Sequence, residues 1–113
     1  MYKRMHTRTR RLDISPRVKE EVWERDGGRC ILCGTSEAAP NAHYIARSQG
    51  GLGIARNIVT LCGRCHDRYD NSPERTAIKE EIRAYLMSQY DDWEEDALVY
   101  RKLPYLPQAG QGD

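Results

Sequence analysis

Two Cys-x-x-Cys pairs constrain this chain more than any other feature of its sequence. Cys30 and Cys33 form the first pair, and Cys62 and Cys65 form the second. Each pair can form a tight turn that presents two thiolates, and two such turns complete the tetrahedron of a structural Zn²⁺ site. All four cysteines of the chain fall in these pairs. We therefore expect a small fold that is held together by a four-thiolate zinc site.

Two other uses of paired cysteines fit the chain less well. Two disulfides require an oxidising compartment, and the sequence has no apolar stretch of the kind that forms a secretory signal. A thioredoxin-like redox site uses one Cys-x-x-Cys in a βαβ context, whereas this chain has two matched pairs. No apolar run is long enough to span a membrane. We expect a reducing, cytoplasmic location.

Length and composition indicate one domain with a modest core. The chain has 113 residues, 39% of them hydrophobic, and it lacks Phe, so a zinc site would add needed stability. We expect a basic flexible leader over residues 1–14. A zinc-ribbon domain with a C-terminal helical part should follow over 15–100, and a flexible tail over 101–113.

Charge is distributed unevenly, although the net charge is only +1. Residues 1–11 carry five basic side chains and no acidic one, whereas residues 73–113 carry nine acidic and five basic side chains. This asymmetry suits a protein that touches a polyanion with one part only. The alternative is that the basic leader is simply solvated.

Capping and turn signals predict the helices and strands. Ser15 and Pro16 indicate a helix start, and Gly27-Gly28 indicate its end. A polar loop over 35–40 should lead into a short strand near 42–46, followed by a glycine-rich turn.

The second half of the chain repeats these signals. The β-branched run at 58–61 predicts a partner strand, and a helix should begin near Cys65 and end by Asn71. Ser72-Pro73 predicts a further helix start, with apolar spacing to about Tyr90. Trp93 and Leu98 should point inward. This order of elements predicts an α+β fold.

His66 and Asp70 lie four residues apart on the predicted helix, so both project from one face. Such a pair can share a divalent cation, and mixed nitrogen and oxygen ligation suits Mg²⁺, Mn²⁺ or Zn²⁺. His43, on the first predicted strand, could act as a general base opposite that cation. A purely structural role for these side chains is the alternative.

A resemblance to the HNH endonuclease family is carried by the stretch HYIARSQGG from His43 to Gly51, by Asn57, and by the run from Leu61 to His66. The helix that leads to Cys30 is also similar to the family's usual lead-in. The match covers residues 15–70. Within the family, the chain most resembles the zinc-ribbon branch that is common among phage and bacterial nicking enzymes. It implies a ββα-metal (His-Me finger) motif, pinned by the four-Cys zinc site and flanked by helices.

The resemblance also implies roles for individual residues. His43 would take a proton from the attacking water, and Asn57 would hold the loop between the strands. His66, with Asp70, would bind a catalytic Mg²⁺ or Mn²⁺ that neutralises charge on the departing 3′ oxygen. The implied activity is hydrolysis of a DNA phosphodiester bond to a 5′ phosphate and a 3′ hydroxyl. One such unit cuts one strand, so a monomer should nick.

One position departs from the family pattern. The residue before the base is normally Asp or His and ligates the metal, whereas here it is Ala42. Asn41, a DNA phosphate or water would have to take its place. The departure motivates an alternative, a zinc-ribbon DNA-binding module without cleavage activity. A third interpretation is a structural zinc ribbon that contacts proteins through the acidic helix after Ser72.

Double-stranded DNA is the partner that the resemblance implies. The arginines expected to contact its phosphate backbone are Arg47, Arg56, Arg64 and Arg68. The basic leader would add salt-sensitive affinity that does not depend on DNA sequence. A phage or prophage source is expected, and packaging by the large terminase is one setting in which such small enzymes occur.

Overall fold

The structure is a computed structural model that describes residues 7–101. Within this range it is a small α+β fold, as predicted, with a two-stranded sheet and helices around it. The helices are α1 (Thr7–Leu12), α2 (Pro16–Arg25), α3 (Gly63–Asn71) and α4 (Arg75–Gln89), and the strands are β1 (Ala38–His43) and β2 (Ile58–Cys62). Short 3₁₀ turns occupy Arg47–Gln49, Ala55–Asn57 and Glu95–Leu98. Residues 1–6 of the predicted leader and 102–113 of the predicted tail lie outside the described residues.

Helix α1 corrects the expectation of an irregular leader up to residue 14. Thr7–Leu12 is helical, and the side chain of Leu12 is buried. The sequence gives little sign of this helix because it has almost no apolar face and is held by tertiary contacts.

Helix α2 begins and ends where the sequence predicts. The Ser15 Oγ accepts a hydrogen bond from the Val18 N–H at 3.2 Å, and Pro16 occupies the first helical position. The helix ends before Gly27 and Gly28, whose φ angles of 70° and 68° lie in the left-handed region.

Strands β1 and β2 pair in an antiparallel sheet whose first strand starts earlier than predicted. The sequence predicts it near 42–46, after a loop over 35–40, and the structure has it at Ala38–His43. A bulge accommodates Pro40, which cannot donate a ladder hydrogen bond. The second strand is confirmed at Ile58–Cys62. The paired residues are Ala38 with Cys62, Ala39 with Leu61, Ala42 with Val59, and His43 with Ile58.

Helix α3 follows β2 without a loop. Cys62 is the last residue of β2 and the N-cap of α3, and its Sγ accepts a hydrogen bond from the Cys65 N–H at 3.4 Å. This cap explains why the helix begins at Gly63 rather than near Cys65. Its end at Asn71 is confirmed, and the Ser72 hydroxyl donates to the Arg68 carbonyl there at 2.6 Å.

Helix α4 starts later than its predicted cap, because Ser72 closes α3 instead of opening α4. Glu74 precedes the first helical residue, Arg75, and contributes no side-chain cap. Within residues 7–101, no helix combines the length and the apolar character needed to cross a bilayer.

The core lies between the sheet and helices α3 and α4. The Tyr69 hydroxyl donates to the Tyr44 carbonyl at 2.7 Å, and the rings of Tyr44 and Trp93 meet edge to face at 5.7 Å. Trp93 and Leu98 are buried, as predicted. The α4 side chains that complete the core are Ile78, Ile82 and Leu86. This core fixes the position of α3 relative to the sheet.

Candidate functional site

The four cysteines converge on one point. Their Sγ atoms all lie within 4.8 Å of one another, and Cys33 and Cys62 approach to 3.6 Å. A tetrahedral Zn²⁺ site with Zn–S bonds of about 2.3 Å requires sulfur–sulfur separations of about 3.8 Å. The cluster therefore has the composition and size of a metal site. Within residues 7–101 it is the one group of three or more His, Cys, Asp or Glu side chains so gathered.

Backbone hydrogen bonds shape the first cysteine turn. The Gly34 N–H donates to the Cys30 carbonyl at 2.9 Å, and the φ of Gly34 is 83°, as expected for this turn. The Ile31 N–H donates to the Thr60 carbonyl on β2 at 3.0 Å. This bond attaches the first pair of cysteines to the strand that leads to the second pair.

The thiols of the cluster differ in their affinity for a proton. Burial raises the pKa of Cys30, but backbone hydrogen bonds from Cys33, Cys62 and Leu32 outweigh it and lower the pKa to about 7. Burial and the neighbouring thiols raise the pKa of Cys65 to about 12. A bound cation reverses such a shift, because a coordinating thiol loses its proton.

A buried carboxylate at the end of α2 was not expected from the sequence. The Asp26 side chain is fully buried and accepts hydrogen bonds from the Thr60 N–H at 2.8 Å and the Tyr85 hydroxyl at 2.6 Å. The Arg25 Nε pairs with it at 2.7 Å. These contacts tie α2 to both β2 and α4.

A second site is an open cleft of about 550 Å³ between the end of β1, the following loop and α3. The structure brings together here three residues predicted to form the catalytic centre: His43, His66 and Asp70. Other lining residues include Asn41, Arg47, Tyr69 and Arg75.

His43 is oriented by a backbone carbonyl. Its Nε2 lies 2.9 Å from the carbonyl oxygen of Leu12, at the end of α1. Because a carbonyl only accepts hydrogen bonds, Nε2 carries the proton and Nδ1 of the neutral ring has a free lone pair. Burial lowers the pKa of His43, the Leu12 carbonyl opposes this effect, and the positive charge of Arg47 adds to it. A neutral ring is the form that can accept a proton.

Asn57 fixes the loop that follows His43. Its side chain is fully buried; the Oδ1 accepts from the Ile45 N–H at 2.8 Å, and the Nδ2 donates to the carbonyls of Ile45 at 3.1 Å and Leu52 at 2.9 Å. The Tyr44 N–H also donates to the Asn57 carbonyl at 2.7 Å. These bonds set the direction in which the chain leaves β1.

His66 and Asp70 face each other on α3. The His66 Nε2 lies 3.4 Å from the nearer Asp70 oxygen, and both side chains are partly exposed in the cleft. An imidazole nitrogen and a carboxylate oxygen at this separation can ligate one cation.

Ala42 and Asn41 lie on opposite faces of β1. Ala42 is fully buried against the core, whereas Asn41 is exposed and lines the cleft with His43 two residues later. A ligand at position 42 would therefore point away from His66. The side chain of Asn41 lies on the face of β1 that lines the cleft.

The four predicted DNA-contacting arginines do not converge on the cleft. Arg47 lines it, while Arg56 pairs with Asp92 at 2.8 Å on another face. Arg64 lies beside the cysteine cluster, and Arg68 pairs with Glu74 at 2.8 Å. Arg75, which the sequence does not single out, also lines the cleft and stacks 4.7 Å above the Tyr69 ring. Tyr69 is three residues after His66, so helical spacing places it on the cleft face, but nothing in the sequence brings Arg75 there.

Comparison with known proteins gives a relative that matches part of the chain. No model of a known protein family matches the sequence. Anaredoxin from Nostoc sp. (strain PCC 7120) is 30% identical over 54 residues, which are 47% of this chain and 71% of anaredoxin.

Proposed function

This chain belongs to the same family as anaredoxin, and within that family we propose that it is a divalent-metal-dependent DNA endonuclease that nicks one strand. The single observation that carries the proposal is the cleft, in which a histidine with a free Nδ1 shares the walls with a His–carboxylate pair. The cysteine cluster serves as a structural Zn²⁺ site in this proposal.

The donor set of the cleft suits a weakly held Mg²⁺ or Mn²⁺. His66 and Asp70 offer one nitrogen and one oxygen, and Asn41 offers an amide oxygen from β1. Mg²⁺ commonly uses one or two protein carboxylates and completes its shell with substrate phosphate and water. The absence of a carboxylate at Ala42 is therefore compatible with a site that DNA completes.

The mechanism assigns a separate task to each group. His43 removes a proton from the attacking water through Nδ1 while Nε2 remains bonded to Leu12. The cation, when bound by His66 and Asp70, supplies charge neutralisation at the departing 3′ oxygen. Asn57 keeps His43 in place through the loop. The products are a 5′ phosphate and a 3′ hydroxyl.

Double-stranded DNA would approach the cleft through phosphate contacts. Arg47 and Arg75 lie at its wall, and the basic leader residues Arg10 and Arg11 are exposed at the end of α1. Contacts of this kind position a backbone without reading its bases. A phage source and a terminase as partner remain predictions that rest on the resemblance.

The test is supercoiled plasmid incubated with Mn²⁺ or Mg²⁺ and the parent protein or His43→Ala. We expect the parent to nick the plasmid and the variant to lose roughly 10²- to 10⁴-fold in rate, the contribution typical of a general base. Met87→Ala, an exposed change on α4, is the control. DNA retardation without nicking by the parent would instead favour a DNA-binding module that has lost cleavage. Neither nicking nor retardation would favour a protein-contact role.

A redox role is the second candidate, because the name of anaredoxin denotes a redox protein. Four thiolates in a tetrahedron suit iron as well as zinc. The two metals are distinguished by elemental analysis and visible absorption of protein isolated without oxygen. A colourless protein with one zinc per chain contradicts the redox role, whereas a coloured iron protein that bleaches reversibly on reduction supports it.

A further inference from the structure

The carboxyl end of α1 and the residues after it contact the cleft at several points. The Leu12 carbonyl bonds to His43, and the Arg11 carbonyl accepts from the Gly53 N–H at 2.9 Å. Asp13 pairs with Arg47 at 2.5 Å. Two of these three contacts use backbone carbonyls, so their geometry depends on the path of the chain and not on one side chain.

The docking of this segment is sterically specific. A Cβ atom at Gly53 would lie 2.0 Å from the Asp13 carbonyl oxygen, so only glycine allows the two backbones to approach. Leu12 is 2% exposed, yet it lies outside the main buried cluster around Tyr44 and Tyr69. The segment is therefore anchored firmly while remaining separate from the core that holds the sheet against α3 and α4.

We infer that residues 7–14 form a positioning segment for His43, which holds its ring as the Nε2–H tautomer and leaves Nδ1 to act in the cleft. The catalytic consequence rests on the proposed nuclease function, whereas the tautomer is a property of the protein alone. Among the described residues, the Leu12 carbonyl is the one hydrogen-bond partner of the His43 ring. Releasing the segment frees the ring to rotate and to exchange its tautomers.

The segment also links the leader to the reacting groups. Arg10 and Arg11 occupy the last turn of α1, immediately before the residue that bonds to His43. A phosphate backbone bound by these arginines would therefore contact the same helix whose end orients His43. Positioning of the base and contact with DNA are combined in one short element.

Two variants release the segment without altering a residue of the cleft. Gly53→Ala forces the Asp13 backbone away, and Leu12→Ala removes the buried anchor. The matched controls are Gly63→Ala, where a Cβ meets no atom within 4 Å, and Met87→Ala on the exposed face of α4. Circular dichroism and zinc content identify any variant that has lost its fold.

The decisive measurement is the ¹⁵N spectrum of the His43 ring, assigned with His6→Gln and His66→Gln and recorded above the ordinary histidine pKa of about 6.5. We expect the Nε2–H tautomer in the parent and both controls, and a mixture of tautomers in the two releasing variants. Nicking should fall roughly 10- to 100-fold in those variants, because small misplacement of a reacting group is costly.

A releasing variant that is folded, keeps the Nε2–H tautomer and nicks at the parental rate would overturn the inference. A changed tautomer with an unchanged nicking rate would overturn its catalytic part. If the parent itself does not nick DNA, the proposed function fails, and the tautomer comparison still decides whether the segment positions His43.

Discussion

At the scale of single residues, the proposed chemistry depends on which nitrogen of the His43 ring carries a proton. The Leu12 carbonyl makes that choice for His43, and burial lowers the pKa of the same ring. The two effects act together: the first leaves Nδ1 free, and the second keeps the ring neutral. A histidine on a solvent-exposed strand would have neither property.

The pH dependence of nicking should report on this ring. The base is active when deprotonated, so a lowered pKa keeps activity complete above about pH 6.5 and removes it as the pH falls through a midpoint below that value. Single-turnover rates between about pH 5 and pH 8 with saturating Mn²⁺ measure the midpoint. A midpoint above the ordinary histidine value would contradict the assignment of His43.

His66 should serve the cleft and not the cysteine cluster. We expect His66→Ala to abolish nicking while the zinc content stays at the parental level, because in the proposed site His66 ligates the weakly held cation and not the zinc. Zinc analysis and plasmid nicking on the same preparation measure both properties. Equal loss of zinc and activity would mean that His66 belongs to the structural site.

Asn41 can be tested as the ligand that replaces the metal-binding side chain missing at Ala42. Asn41→Asp adds a carboxylate on the cleft face of β1 and should lower the Mn²⁺ concentration needed for half-maximal nicking by roughly tenfold, whereas Asn41→Ala should raise it. Manganese titrations of nicking compare the variants with Glu37→Ala, an exposed change that does not line the cleft. An unchanged manganese requirement in both Asn41 variants would exclude this side chain as a ligand.

At the scale of elements, α2 is joined to the rest of the fold by a buried ion pair. Asp26 accepts from Arg25, Tyr85 and the Thr60 N–H, and the Arg25 guanidinium also donates to the carbonyls of Ala55 at 2.8 Å and Ile58 at 2.7 Å. Burial lowers the pKa of Arg25, but the hydrogen bonds to Asp26 and Tyr90 raise it by more. The net pKa lies above the ordinary arginine value, so the guanidinium stays charged. The buried charges of Arg25 and Asp26 are therefore both compensated by hydrogen bonds within this network.

Removing the carboxylate should therefore cost much more than removing an exposed one. Asp26→Ala leaves a buried guanidinium uncompensated and should lower the free energy of unfolding by about 3–5 kcal/mol. Asp92→Ala breaks the exposed pair with Arg56, which solvent screens, and should change the free energy of unfolding far less. Urea unfolding of both variants measures the difference. Equal effects would show that the buried network contributes little.

The elements also show what the sequence can and cannot predict. Ser15, Pro16 and the double glycine define α2 because capping and positive φ are local properties. The start of β1 is not local: Pro40 is read as a loop residue, and only pairing with β2 makes it part of a bulged strand. Helix α1 and the position of Arg75 at the cleft likewise come from tertiary contacts. The sequence singles out Asn41, His43, Arg47, His66 and Asp70 of the cleft, but it predicts neither the orientation of their side chains nor the presence of Tyr69 and Arg75.

At the scale of the whole molecule, the cysteine cluster joins two segments that lie far apart in the sequence. It links the loop after α2 to the end of β2 and the first turn of α3. A small core of this kind depends on such a link. In zinc-finger peptides, binding of structural zinc contributes an apparent free energy of about 10–16 kcal/mol to folding. The cation proposed for the cleft would have no comparable role in the fold.

The two metals should therefore be separable by chelation. Mild chelation that removes Mg²⁺ or Mn²⁺ should stop nicking and leave the circular dichroism and Tm unchanged. Removal of the thiolate-bound metal with a stronger chelator under reducing conditions should lower the Tm by tens of degrees or unfold the chain. An unchanged Tm after complete loss of that metal, verified by elemental analysis, would contradict its structural role.

Cys65 is followed directly by His66, and Cys62 both ends β2 and caps α3. The imidazole in the cleft is thus one peptide bond away from a sulfur of the cluster. Oxidation that links Cys33 to Cys62, whose sulfurs are already 3.6 Å apart, would displace the metal and loosen the first turn of α3. Peroxide would in this way abolish the proposed nicking from a distance, without modifying any side chain of the cleft.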